Sequence, residues 1–444
     1  MVPTSFFRTL SGGCLAASLL LQPLVQADEL SDAIAQDYAE HLGDLFVHFH
    51  ENPELSFQEH KTAARLAEEL RAVGFEVTES VGGTGIVAMM ENGDGPLVMM
   101  RADMDGLPVE EKSGLPYASR AKQLDPDGNE VFVMHACGHD VHITSLVGTA
   151  RQMAARKDEW SGTLMLIGQP AEERITGARA MMEDRLWERF GKPDMAMAFH
   201  VTSAIPTGKL AAATGAQYSG GDTVEIIVHG VGAHGASPHR GIDPIVLGSQ
   251  IVLALQTVVS RNLPPRNAGV ITVGAFHAGT KNNIISDRAH LKLTVRNDDP
   301  ADRKILLDGI KRVAENMGRV AGLPDDMLPE VIYSDESVPV TFNDAAMTER
   351  LRAGWKARFG DDVMWDVKRE GMGSEDFPFF TTDPYIPSTY FAVGGTPPEA
   401  FAAEAAGGEP VPSHHSPLFK IQPKPAVTLG VEATVTGLMD LMAK

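Results

Sequence analysis

The spacing of apolar positions changes character several times along the chain, and each change predicts an element. Between 62 and 73, Ala63, Leu66, Leu70 and Val73 recur at three and four residues, which predicts an amphipathic helix ending near Gly74. Short apolar runs at 85–90 and 96–100 predict strands, and the second leads straight into Arg101-Ala-Asp-Met-Asp-Gly-Leu-Pro108. In the same way the run at 164–168 leads into Gln169-Pro-Ala-Glu-Glu173, and that at 195–199 into His200. Strands that alternate with helical stretches and end in polar residues predict an α/β sheet whose site lies at the carboxyl ends of its strands.

The middle of the chain follows another order. Strand at 223–229, helix at 244–260, strands at 269–276 and 290–296, helix at 302–321 and a short strand at 330–333 make a β-α-β-β-α-β succession. This is the ferredoxin-like pattern, which closes on itself as a small unit. Helical periodicity returns at 344–359 and 426–442, with a Gly-rich turn at 371–374 between them. The pattern therefore predicts a discontinuous α/β catalytic domain, a mixed sheet flanked by helices, made from 28–214 and 336–444. An α+β domain at 215–335 interrupts it. No internal repeat is visible, and 397–410, rich in Ala, Glu and Gly, reads as a surface loop.

At 444 residues, 22% charged and 43% hydrophobic, the composition is that of a globular chain of two or three domains. Acidic residues outnumber basic ones 59 to 38 and leave a net charge of −21, which argues against nucleic acid and anionic membranes as partners. The first 27 residues carry one positive charge, Arg8, no acid, an apolar stretch at 14–25, and Ala27 just ahead of Asp28 and Glu29. They read as a cleavable secretory signal, so the product is expected to be exported, periplasmic or secreted, with no membrane association after cleavage. Of Cys14 and Cys137 only the second would survive, which excludes an internal disulfide. A lone thiol outside the cytoplasm is a liability unless it is buried, metal-bound or catalytic.

The surroundings of Cys137 carry the candidate chemistry. Cys137 and His139 lie two apart ahead of a helical stretch, so both can project from one turn toward a common point. Thiolate and imidazole suit zinc and related divalent metals. Glu172-Glu173 at a second strand end, His200 at a third and His414-His415 near the C-terminus fit a site gathered from separate strand ends or loops. Adjacent glutamates allow a division of labour, one binding metal and the other taking a proton from water. Two rival readings are a thiol hydrolase with Cys137 as nucleophile, and a non-catalytic binding protein. The first leaves Glu172, Glu173 and His200 unexplained. The second expects a lost ligand or acid/base where all positions are filled.

Eight segments resemble, in order, the M20 metallopeptidases and in particular their amidohydrolase branch. They are His50-Glu-Asn-Pro-Glu-Leu-Ser-Phe57, the Arg101 to Pro108 segment, Met134-His-Ala-Cys-Gly-His-Asp140, Gln169-Pro-Ala-Glu-Glu173, Gly232-Ala-His-Gly-Ala-Ser-Pro-His239, Asn283-Ile-Ile-Ser-Asp287, Gly373-Ser-Glu-Asp-Phe377 and His415-Ser-Pro417. That branch holds hippurate hydrolases, N-acyl-amino-acid amidohydrolases and plant auxin-conjugate hydrolases. The resemblance implies two divalent metal ions, zinc or manganese before nickel or cobalt, held by Cys137, His139, Glu173, His200 and His415, with His414 the competing last ligand. It implies Glu172 as general acid/base, Asp105 orienting a ligand, and the inserted domain as a lid through which a homodimer could form. His234 and Asn283 of that lid would polarise the scissile carbonyl, and Arg296 would clamp the substrate carboxylate. The implied substrate is an N-acyl amino acid or a short peptide; an exported metallo-carboxypeptidase or dipeptidase of the same fold is the alternative. The chain departs from the family pattern at Arg174-Ile-Thr176, which sets a cation beside the metals, at Ser286, and at 123–131, which reads as extra loop.

Overall fold

A computed structural model describes Met1 and residues 29–444. The segment read as a signal lies outside the described residues except for Met1. The catalytic domain is built on a seven-stranded sheet: β1 (Glu76–Val81), β2 (Gly85–Asn92), β3 (Leu97–Asp103), β6 (Gly162–Gln169), β7 (Met195–Pro206), β8 (Leu210–Ala211) and β17 (Ser388–Thr396). Their order is β1-β2-β6-β3-β7-β17-β8, with β6, β3, β7 and β17 parallel and the outer strands antiparallel. The parallel centre is covered on both faces, which is why β3 and β6 read as unbroken apolar runs instead of alternating ones. The helix His60–Ala72 buries Ala63, Leu66, Ala67 and Leu70 in the main core, as its spacing predicts.

The inserted domain has its own core around Val224, Ile226, Leu255, Leu291 and Ile310. Its antiparallel sheet, β10 (Gly220–His229), β12 (Gly269–Ala278), β14 (Arg288–Asn297) and β15 (Glu330–Tyr333), runs in the order β12-β14-β10-β15. Two helices back it, Pro244–Asn262 and Pro300–Val320. Each starts with proline after an aspartate, Asp243 or Asp299, whose side chain accepts from a first-turn amide. The ferredoxin-like expectation and the discontinuous α/β domain are both present. The boundary at 215 differs: β9 (Gly215–Tyr218) pairs with β16 (Thr341–Asn343), so the two chain crossings form a ribbon against the catalytic domain and the lid sheet starts at Gly220.

Two local expectations need correction. Residues 397–410 hold a helix, Pro398–Ala405, because proline suits a first turn and the alanines that follow are strong helix formers. The extra segment at 123–131 is closed by a hairpin, β4 (Lys122–Leu124) with β5 (Glu130–Phe132), tied down where Leu55 N donates to Gln123 Oε1 at 2.5 Å.

Candidate metal centre

Three turns and one strand present the site. Gly138, at φ +87°, ends the loop before the buried helix His139–Ala155, and a Cβ there would stand 2.4 Å from Val201 Cγ1. Only glycine fits, and the tight turn sends Cys137 and His139 to the same side. After β6, Glu172–Arg174 forms a single helical turn between Ala171 at φ +49° and Ile175 at φ +57°, so the two glutamates stand at the strand's carboxyl end. His415 also has a left-handed backbone, φ +64°, and its N–H donates to Ala136 O at 2.9 Å, which draws the C-terminal loop onto the Cys137 turn. His200 is not at a strand end, since β7 runs on to Pro206 along β17; it faces the site from within the strand, just past the end of its pairing with β3.

Cys137 Sγ lies 3.3 Å from His200 Nε2 and 3.7 Å from His414 Nδ1. His139 Nε2 lies 4.0 Å from Glu173 Oε1 and 3.8 Å from Glu172 Oε2. His415 Nε2 lies 3.4 Å from Glu173 Oε2. Separations of this size are those of atoms sharing a cation with ligand bonds of about 2.0 to 2.3 Å. Tautomers sort the imidazoles. His139 Nδ1 donates to Asp105 O at 2.8 Å and His200 Nδ1 to Val201 O at 2.5 Å, so each ring turns its Nε2 into the site. His414 is reversed: its Nε2 accepts from Ser203 N at 3.3 Å, which puts the ring proton on Nδ1, aimed at the sulfur.

The residues fit cations. His139 Nε2 and Glu173 Oε1 are buried with no hydrogen-bond partner, a costly arrangement that a positive ion between them would relieve. Burial pushes the Cys137 thiol up. Burial, then Glu375 and Glu173, hold the Glu172 carboxyl well above the usual range, and Glu173 is pushed up to about 7, chiefly by burial. Burial pulls His200 down, and His414 to about 3, so both rings stay neutral. Thiol and carboxyl groups that resist ionisation in the bare protein are those whose protons a divalent cation displaces.

Asp105 sits beneath this set. Its Oδ1 and Oδ2 accept from the amides of Glu172 and Glu173, each at 3.1 Å, while its carbonyl fixes His139. Arg296 reaches the same cavity from the lid, its guanidinium crossing Gly221 to donate to Ser374 Oγ. His234 and Asn283 do not. They are exposed beside the short pair β11 (Ala233–His234) and β13 (Ile284–Ile285), beyond the opposite end of the lid sheet. Arg288 and Arg296 alone are separated by eight residues of β14, roughly 27 Å of strand. Closing the lid cannot bring both ends to one metal pair. Arg174, expected beside the metals, stacks instead over Phe57 at 5.8 Å, and Ile175 lines the cavity.

Three more residues surround the site, and the sequence alone gives none of them a role there. Arg101, completely buried, spans Asp103, Gln169, Glu375 and Asp376. His142 donates from Nδ1 to Asp103 at 2.5 Å and accepts from Val201 N. Tyr218 of the hinge ribbon lines the cavity beside Glu375.

A buried thiol, imidazole and carboxylate set sharing one cavity with a second glutamate is the equipment of a metal-dependent hydrolase. Residues 99–406 match the family model described as Peptidase family M20/M25/M40, and the chain belongs to that family. It is 37% identical over 332 residues to the hippurate hydrolase of Campylobacter jejuni, covering 74% of this chain and 82% of that one. It is 36% identical over 350 residues to thermostable carboxypeptidase 2 of Saccharolobus solfataricus, covering 78% and 83%. The fold matches the crystal structure of a dinuclear metal-binding peptidase of the M20 family from Bacillus subtilis with a TM-score of 0.74 and 27% identity, over 93% of this chain and 99% of that one. The chain is accordingly a metal-dependent hydrolase of amide bonds.

Proposed function

We propose that the protein cleaves the amide bond of N-acyl amino acids, releasing a carboxylic acid and a free amino acid. The observation that carries this is the cavity of about 550 Å³ into which Glu172, Glu173, Cys137, His200 and Arg296 all open. It has the size of a small-molecule site and offers one fixed cation for a carboxylate. The relatives' names support the same reading: hippurate is an acylated glycine, and a carboxypeptidase cleaves beside a free carboxylate.

Cys137, His139, Glu173, His200 and His415 would hold two divalent cations, which when bound polarise a carbonyl and make water more acidic. Glu172 takes the proton of the attacking water on its carboxylate and returns it to the amide nitrogen as the C–N bond breaks. Asp105 keeps the His139 ring and the Glu172 backbone in place, and Arg296 grips the substrate carboxylate. Purified protein should release free amino acid from acyl amino acids, lose this on exhaustive chelation and regain it with divalent metal. Esters of the same substrates should be poorer, and Arg296→Ala should erase that difference. Full activity in verified metal-free protein, or no release from any acyl amino acid, would end this reading.

Between the adjacent histidines, the His415 Nε2 at 3.4 Å from Glu173 Oε2 favours His415 as the ligand, and the Nδ1–H of His414 makes it a donor to the sulfur. His415→Ala should then lose bound metal and activity together. His414→Ala should keep its metal and lose activity only in part. Metal analysis giving the opposite pattern would exchange the two roles.

The lid also offers a contact surface. Val246 and Leu253 on the helix Pro244–Asn262 are 54% and 72% exposed, beside β12, which is an edge strand of the lid sheet among the described residues. His234 and Asn283, which do not reach their own site, would in a pair of lids joined through this face serve the site of the other copy. Co-expressed Glu172→Gln and His234→Ala chains should then recover activity that neither variant shows alone; no recovery in a verified mixed dimer would discard the exchange.

A further inference from the structure

We infer that a second cavity, adjoining the metal centre, receives the acyl group, and that the substrates are amino acids bearing a large, apolar acyl chain. This rests on the amidohydrolase reading above and adds the substrate class to it. The cavity measures about 650 Å³ and shares His200, Thr202, Tyr218 and Gly373 with the metal cavity, so the two adjoin along these residues. Arg296 and Ser374 line the metal cavity alone. A substrate laid across the metals with its carboxylate on Arg296 therefore points its other end, the acyl chain, toward these shared residues and the second cavity.

The walls suit hydrocarbon. Ile205, Ala212 and Phe391 are buried at its floor, and Trp365 and Val367 form its outer side while remaining 41% and 49% exposed. Large apolar side chains left half in water along a cavity gain when an apolar ligand covers them. Both arginines around it are held. Arg369 is held by Asp298 at 3.0 Å, and Arg352 donates to the carbonyl of Ala212. Lys368 is exposed at the same wall.

Each buried methylene is worth roughly a factor of four in binding. With part of that lost to ordering the chain, kcat/KM should rise at least about thirty-fold from acetyl to octanoyl on the same amino acid. Ala216→Glu, which puts a charge on the half-buried wall beside Tyr218, should cut the octanoyl-to-acetyl ratio at least about ten-fold. Trp365 gives a readout that needs no turnover: octanoate, but not acetate, should shift the emission of the metal-loaded enzyme, and Trp365→Phe should abolish the shift. A flat or falling response to chain length overturns the proposal, as does a ratio untouched by Ala216→Glu. So does octanoate binding without a Trp365 signal. If octanoate gives the Trp365 signal while no acyl amino acid is cleaved, the cavity assignment stands and the amidohydrolase reading falls.

Discussion

Replacing Glu172 by glutamine is expected to lower kcat by about 10² to 10⁴ while leaving both metals bound, the range for removing a positioned acid/base. Glu172 is 7% exposed. Its amide is held by Asp105 Oδ1, a hydrogen bond that the near-isosteric glutamine leaves in place. The substitution therefore removes a proton acceptor and little else. The loss corresponds to about 3 to 5 kcal/mol of barrier. Its neighbour should behave in the opposite sense: Glu173 Oε1 is an unpartnered atom beside His139 Nε2 and Oε2 faces His415, so Glu173→Gln should lose metal first and activity as a consequence. The measurement is metal content and kcat on the same samples. Metal lost from Glu172→Gln and kept in Glu173→Gln would reverse the two roles.

The readable part of the site was the part written locally. Cys137 and His139 share one turn, Glu172 and Glu173 follow one strand, and an apolar run ending in charge marks each strand end. His200 was found by residue type but misplaced along its strand, because β7 continues only through its pairing with β17, some two hundred residues later in the chain. His234 and Asn283 show the limit of a resemblance: it supplied the residues, while their location at the far end of the lid sheet is a property of the register between β10 and β14. Tyr218 had no signal, being one aromatic residue in a polar stretch at a hinge. The α/β and ferredoxin-like units were legible because period and order survive in the sequence; the seam between them moved because β9 is too short for its period to name a partner.

Arg101 did carry a signal, a charge inside the apolar strand β3, but its partners lie far along the chain. Its guanidinium, about 1% exposed, donates to Asp103 Oδ2 at 2.6 Å, Gln169 Oε1 at 2.7 Å and Glu375 Oε1 at 2.7 Å, with Asp376 Oδ1 at 3.3 Å. One cation thus compensates three buried carboxylates. Two of these bear on the metal centre: Asp103 holds His142 and lies 3.7 Å from His139 Nε2, and Glu375 lines the cavity. Arg101→Met fills the space without the charge and should destabilise the catalytic domain by about 3 to 5 kcal/mol, the cost of stranding buried charge. Arg101→Lys should fall between, since an ammonium cannot span four acceptors in one plane. The pH dependence identifies the cause. Stranded carboxyls in the folded variant would have pKa values above their unfolded values, so they hold protons that the unfolded chain has released, and folding stability drops as pH rises through that range. Urea unfolding of Arg101→Met should therefore approach the wild type near pH 5 and diverge from it toward pH 8. A deficit that stays constant with pH would assign the loss to packing. A variant within about 1 kcal/mol of wild type at pH 8 would show that these carboxylates do not need the arginine.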